Sequence, residues 1–399
     1  MRKPATPLVC LPFVSLLAVS VAAYTLNYTV PAGSGCPVPS RLSTSVAINR
    51  QWSTSLPNAP QTIFTAAAPG TSQQITEIQQ AILDAYSAWT GVSGTLVSAT
   101  SFPGALGPLG QVSAAAACGS DQGATVTGQN TVCFNQPSAA FTTGVLAFTR
   151  TFTATAAGQT VGSVTSAFAG QILQADTLFR NDGQVTFATP GALAANPRSY
   201  DLESVLIHEL GHFFGLEHSP LWRAMLAPFA PPAGAFWGPR PGGGAPDGPL
   251  RDDDRTGLRV LYPDPNDVVD TGVITGRAVP ANPLSLVGIA QPAGGQYVTG
   301  IFGAHVVAVD AASGDVVAGA LAGWSCPSAG GAPVFDGGYS IERLPLGRSY
   351  NLYIEPLDGV FTPADLGGNA LNLCSTGNAT PCLTPPVNTD FVAHVRPPP

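Results

Sequence analysis

Apolar residues return along this chain with two different periods, and the change from one to the other divides it. Ile75, Ile78, Ile82, Tyr86 and Trp89 recur at three- and four-residue steps, which is the spacing of one helix face. Thr71 and Gln74 form a capping-box pair ahead of that run, and Gly91 closes it. A second helix is predicted from about Asp201 to Phe214. A third begins at Asp252-Asp253-Asp254, an acid cluster that suits the positive end of a helix dipole, and stops at Pro263. Strand-like runs occur at Leu42–Trp52, Thr95–Ala99, Asn130–Asn135, Gly144–Phe152 and Ile172–Phe179, and residues 226–250 read as a loop rich in Pro and Gly. Strands interleaved with helices predict a mixed α/β unit.

Beyond Pro263-Asp-Pro-Asn-Asp267 the helical period disappears. Short alternating runs at Val273–Ala278, Ala304–Val309, Tyr339–Leu344 and Tyr350–Ile354, separated by Gly, Pro, Asn and Ser turns, predict an all-β sandwich. The expected order is a signal segment at 1–23, a short lead at 24–40, a first domain at 41–264, a linker at 265–271 and a second domain at 272–399. The signal reading rests on Arg2 and Lys3 ahead of the apolar stretch Leu11–Val21, with small residues at Val21-Ala22-Ala23 for cleavage. Pro7 precedes that stretch and Pro12 interrupts it, and it is shorter than the ~20 residues of a membrane span. Secretion or another extracellular, cell-surface or periplasmic location is therefore expected, with no membrane span after cleavage.

Composition narrows the partners. Sixteen Lys and Arg face 24 Asp and Glu, for a net charge of −8 and with no basic run, so a nucleic-acid footprint is not expected. Of seven cysteines, six follow the signal segment (Cys36, Cys118, Cys133, Cys326, Cys374 and Cys382), an even number that suits disulfides in an exported chain. Cys118–Cys133 and Cys374–Cys382 are the local pairs expected. Cys36 and Cys326 are left to bridge the domains or stay free.

The chain has five His, and three of them fall within HELGHFFGLEH: His208, His212 and His218. A chance match to His-Glu-x-x-His-x-x-Gly-x-x-His in such a composition is on the order of one in a million. His208 and His212, four apart, share one face of the second helix, while Leu202, Leu206, Leu210 and Phe213 bury the other. Gly215 can end the helix in a left-handed turn, so that His218 returns from another direction. Three imidazoles and one open position describe catalytic zinc, whereas structural zinc more often closes its shell with Cys. Glu209 is placed to act as general base and later acid on a zinc-activated water in peptide-bond hydrolysis.

With Met225 following in RAMLAP, the segment resembles the zinc signature and Met-turn of the metzincins, and within them it is most similar to the matrixins, the matrix-metalloproteinase type. AYSAWTGVSGTLV (85–97), GQNTVCFN (128–135), GVLAFTRTF (144–152) and DDDRTGLRVLYP (252–263) are similar to that family's first helix, inner and edge strands and last helix. The resemblance spans about residues 41–263. It implies an α+β zincin domain, with a twisted mixed five-stranded sheet and three helices. His208, His212 and His218 would be ligands of one catalytic Zn2+, Glu209 the catalytic residue and Met225 the apolar floor. Gly144, Val145, Leu146, Ala147 and Phe148 would form the edge strand that receives a protein or peptide substrate in extended conformation. Residues 226–250 would wall the specificity pocket. No His precedes His208, so the family's second, structural zinc is not expected. The family's calcium loops are not recognisable; Asn181-Asp182-Gly183 is a candidate for Ca2+ that reads more simply as an ordinary turn. No cysteine-switch propeptide is recognisable.

GVITGRAV (272–279), GAHVVAVDAASGDVV (303–317) and DGGYSIERLPLGRSYNLYIEPL (336–357) resemble a carboxypeptidase regulatory-like (prealbumin-like) β-sandwich, which implies an accessory fold and no reaction. The leading functional expectation is a secreted zinc endopeptidase. The alternatives are a binding or adhesive protein on a zincin scaffold with weak or self-limited proteolysis, and a structural protein with a metal-stabilised domain.

Overall fold

The computed structural model describes residues 21–22, 28–29, 48–49, 51–53, 63–66, 72–97, 110–113, 130–136, 141–161, 164–222, 224–236, 249–266, 271–282, 298–323, 336–357 and 394–396. Its first part is built on a five-stranded sheet. The strands are β1 (Ile63–Ala66), β2 (Gly110–Ser113), β3 (Asn130–Gln136), β4 (Ala147–Thr153) and β5 (Ile172–Arg180), in spatial order β2-β1-β3-β5-β4. The first four in that order run parallel, and β4 lies antiparallel to β5 at the edge. Strand β5 is buried along its whole length, as a central strand covered on both faces must be. The helices are α1 (Ser72–Thr90), α2 (Leu202–Phe213) and α3 (Asp252–Leu261).

One core cluster joins the helices to the sheet: Ile78, Ile82 and Trp89 from α1, Leu202, Leu206, Leu210 and Phe213 from α2, and Leu258 and Leu261 from α3 are all buried in it. Two buried indoles also act as polar anchors. Trp89 Nε1 donates to Ile207 O at 2.8 Å, and Trp52 Nε1 donates to Phe213 O at 2.8 Å. The Tyr262 hydroxyl donates to Phe214 O at 2.7 Å and accepts from Trp52 N at 2.9 Å. Carbonyls at the carboxyl end of a helix have no partner within it, so the bonds to Phe213 O and Phe214 O let α2 end inside the core.

Several local expectations need correcting. Gly144 turns at φ +87° and residues 144–146 precede the strand, which starts at Ala147. Of the run expected as a strand from Thr95, the described residues 95–97 make a single bridge, Thr95 to Pro263, after a turn at Gly94 with φ +75°. Helix α1 runs one residue past Trp89 and stops directly before Gly91, as expected. Strands β1 and β2 were not expected at all. Cys133 is buried and disulfide-bonded. Its partner, the other cysteines, Thr71 and nearly all of the signal segment lie outside the described residues.

After α3 the described elements are strands only: β6 (Thr271–Arg277), β7 (His305–Asp310), β8 (Val316–Leu321), β9 (Gly338–Pro345), β10 (Tyr350–Glu355) and β11 (His394–Arg396). β6 pairs with β9, while β8, β7, β10 and β11 form a second, antiparallel sheet. Val21–Ala22 pairs with the outer side of β8. Val306, Ala308, Ala318, Ala320, Tyr339 and Ile341 are buried together between these strands. Among the described residues no helix is long and apolar enough to cross a membrane.

Candidate metal centre and cleft

Helix α2 starts where Asp201, in extended backbone conformation, accepts from Ser204 N at 2.8 Å, an N-cap that satisfies one orphan donor of the first turn. It ends at Gly215, whose φ of +99° reverses the chain, while Leu216 N donates to Gly211 O at 3.0 Å. This reversal returns His218 toward the helix. The three imidazoles then form a nearly equilateral set, with ring centroids 4.9 Å (His208–His212), 5.1 Å (His208–His218) and 4.8 Å (His212–His218) apart. One nitrogen from each ring lies within 4.8 Å of the others.

Backbone carbonyls fix two of the rings. His208 Nδ1 pairs with Met225 O and His212 Nδ1 with Leu216 O, each at 2.8 Å. A carbonyl can only accept, so both Nδ1 atoms carry the proton and each Nε2 keeps its lone pair. Burial, reinforced by repulsion from His212 and His218, holds His208 well below the usual imidazole range; burial lowers His212 too. Neutral rings with oriented lone pairs are what a borderline-soft divalent cation such as zinc requires, so the donor set fits that ion. Among the described residues no other cluster of three or more His, Cys, Asp or Glu could hold a metal. Asp182, in the turn considered for calcium, is taken up by Arg180 at 2.7 Å and by Gln184 N at 3.0 Å, with Gly183 at φ +77°.

Met225 is buried in the main core cluster and also lines the cleft, and its backbone does as much as its side chain. Its carbonyl holds His208, while its N–H and that of Leu226 donate to the Asp254 carboxylate at 2.8 and 3.1 Å. Asp254 also accepts from Arg251 N at 2.8 Å. The acid cluster that suits a helix dipole therefore does something more specific, since Asp253 and Asp254 are buried ties to the segment between His218 and Leu226.

The imidazoles stand at a cleft of about 330 Å³. One wall is the segment Gly144–Thr149, which leads into the edge strand; the other includes Val205, Ala227, Pro228 and Phe229. All five residues expected for the edge strand line this cleft, although only Ala147 and Phe148 belong to β4. Glu209 is 3% exposed and faces the same space. Burial pushes its carboxyl up to about 8, against a hydrogen bond from Thr149 that favours the ionised form.

The sequence reading places Thr149 in the edge-strand run and misses its role beside Glu209. Its hydroxyl lies 2.8 Å from Glu209 Oε2, 3.0 Å from Glu209 O and 2.9 Å from the Thr177 hydroxyl. Thr149 and Thr177 face each other across β4 and β5, so the chain Thr177–Thr149–Glu209 joins the sheet to the helix. A threonine in a strand is ordinary, and only the approach of residues 60 positions apart gives it a role.

No curated protein matches the chain. The family model of the matrixins matches residues 147–262, a span that opens at β4 and closes just after α3, and this stretch is a matrixin-like, zinc-metalloprotease-like domain.

Proposed function

We propose that the protein is a secreted zinc-dependent endopeptidase that cleaves peptides held in extended conformation. The observation that carries the reading is the set of three converging imidazoles, two of them oriented by backbone carbonyls, at a cleft that also contains a buried carboxylate and is walled by the edge strand of the sheet. His208, His212 and His218 would hold the ion; bound there, zinc would supply a Lewis acid that polarises the scissile carbonyl and acidifies water. Glu209, buried in the cleft beside the imidazoles, takes the proton of the attacking water and passes it to the leaving amine. Thr149 holds one carboxylate oxygen, which orients the other. A substrate backbone adds to the outer side of β4 as a further strand, and a side chain enters the space beside Val205 and Phe229. Export is supported by the amino-terminal segment and by a disulfide at Cys133. The carboxy-terminal strands are read as a prealbumin-like accessory domain.

The test is cleavage of casein or gelatin by the purified chain, with and without a chelator, alongside Glu209→Ala. We expect one zinc per chain, and activity that is lost on chelation, regained with zinc and absent from the variant. A chain that holds zinc and cuts nothing would favour the binding or adhesive reading instead.

A further inference from the structure

The carboxy-terminal strands leave an apolar face that their own core does not use. Along β7, Val306 and Ala308 point into the core between the sheets, while Val307 and Val309 point the other way. The same alternation continues on both neighbours. Leu352 and Ile354 of β10 pack on the inner cluster and Tyr353 turns outward; Ala318 and Ala320 of β8 are inner, with Gly319 between them. The strand register places Gly319, Val307 and Tyr353 side by side in one row. A strand buried on both faces reads as an unbroken apolar run, and His305 is followed by Val-Val-Ala-Val.

The segment between His218 and Met225 covers this outer face. Leu221 and Ala224 share a buried cluster with Val307, and Val309 and Tyr353 pack against it. Beside this contact, Gly319 N donates to Asp253 Oδ1 at 3.3 Å, while Ser219 Oγ donates to Asp253 Oδ2 at 2.7 Å. Ser219 is the residue after His218; its oxygen accepts from Leu221 N at 3.1 Å, and its N–H donates to Leu226 O at 2.8 Å. The segment is thus held from two sides. Met225 O ties it to the His208 ring, and the row of β8, β7 and β10 presses on its back.

We propose that the carboxy-terminal strands brace the metal centre. By fixing residues 219–226 they hold His218 and the carbonyl that orients His208, and they raise the chain's affinity for zinc. The proposal rests on the zinc reading above and gives the second unit a positioning role in the site, more than that of a spacer. Its physical basis is preorganisation, because a ligand set already held in place does not have to be ordered when the ion binds.

The test uses the full chain and measures zinc affinity by competition with a chromogenic chelator, together with amide hydrogen exchange across residues 216–226. Val307→Asp puts an unpaired charge into the contact and should weaken zinc binding about tenfold, in the range known for partners that orient metal ligands, with faster exchange in the segment. Tyr353→Ala should act in the same direction and less. Val316→Asp, at a half-exposed position of the same sheet, should change neither. Saturating zinc should restore the protection of residues 216–226 in Val307→Asp, because the ion and the brace order the same segment. Wild-type zinc affinity in Val307→Asp, whether or not its β strands stay folded, would overturn the proposal. So would a loss of protection that zinc does not reverse, which would mark general misfolding. A wild-type chain that takes up no zinc would instead sink the metal reading, before any variant is made.

Discussion

Among the described residues the Glu209 carboxylate is held by a single short side-chain bond, from a threonine on the neighbouring strand. That bond does two things at once: it restricts the rotation of the carboxylate, and it favours the charged form that accepts a proton. A hydrogen bond to a charged group is worth about 1.5–3 kcal/mol. Thr149→Val keeps the shape and removes the donor, so kcat should fall roughly ten- to a hundred-fold with little change in KM, and Thr149→Ser should recover most of it. The sign of the pH effect follows from the same bond. Without it the carboxyl titrates higher, so the acidic limb of the pH–rate profile should move to higher pH. An unchanged profile would leave Thr149 a merely structural residue. The rings are governed by burial in the opposite sense, because it is their cationic form that burial penalises. Zinc should therefore stay bound on acidification to below the ordinary imidazole range near 6.5, as metal analysis after stepwise dialysis would report.

At the scale of the element, α2 carries a glycine in its last turn, where the backbone loses stability for want of a side chain. The reason is space. A Cβ on Gly211 would collide with Leu226 Cδ2 and stand 2.9 Å from Trp89 Cζ2, both side chains being fully buried. Helix propensity favours Gly211→Ala by up to about 1 kcal/mol, but overpacking a closed core costs about 1–3 kcal/mol. The clash wins, and the variant should melt several degrees lower in a calorimeter. Sequence reading reaches α2 and α3 within a residue or two because start and stop signals coincide: Asp201 and Gly215 bracket the first, the acid cluster Asp252-Asp253-Asp254 and Pro263 the second. It finds the His triad because a rare residue is concentrated in a short window. It misses β1 and β2 because Ile-Phe-Thr-Ala and Gly-Gln-Val-Ser are too short to show a period. It misplaces the start of β4 because Gly144-Val-Leu is apolar enough for a strand, and only the positive φ at Gly144 reveals a turn that aims the following residues along the cleft. Thr149 and Asp253 were beyond its reach, since what each does depends on partners distant in sequence.

For the whole molecule the same Asp253 is the group through which the two units feel pH. Burial pushes its carboxyl up to about 8, with the neighbouring Asp254 adding to the rise and the bonds from Ser219 and Gly319 opposing it. An unfolded aspartate titrates near 3.9. Between those two values the folded chain keeps a proton that the unfolded chain releases, and stability falls with pH wherever the folded state binds more protons. The contribution is thus full in acid and is lost as pH rises through about 8. Glu209 adds a loss over much the same window, and the lowered His208 and His212 work the other way below about 6.5, but all three are common to a comparison made at Asp253 alone. Asp253→Asn keeps an oxygen for the Gly319 N–H and never ionises. In the zinc-free protein, wild type and variant should melt at similar temperatures at pH 5, and the variant should gain steadily on the wild type as pH is raised to 8.5. Parallel melting curves across that range would mean that the carboxylate at the junction is stabilised as an anion. The contact between the two units would then be an ion site and not the buried, proton-bearing seam described here.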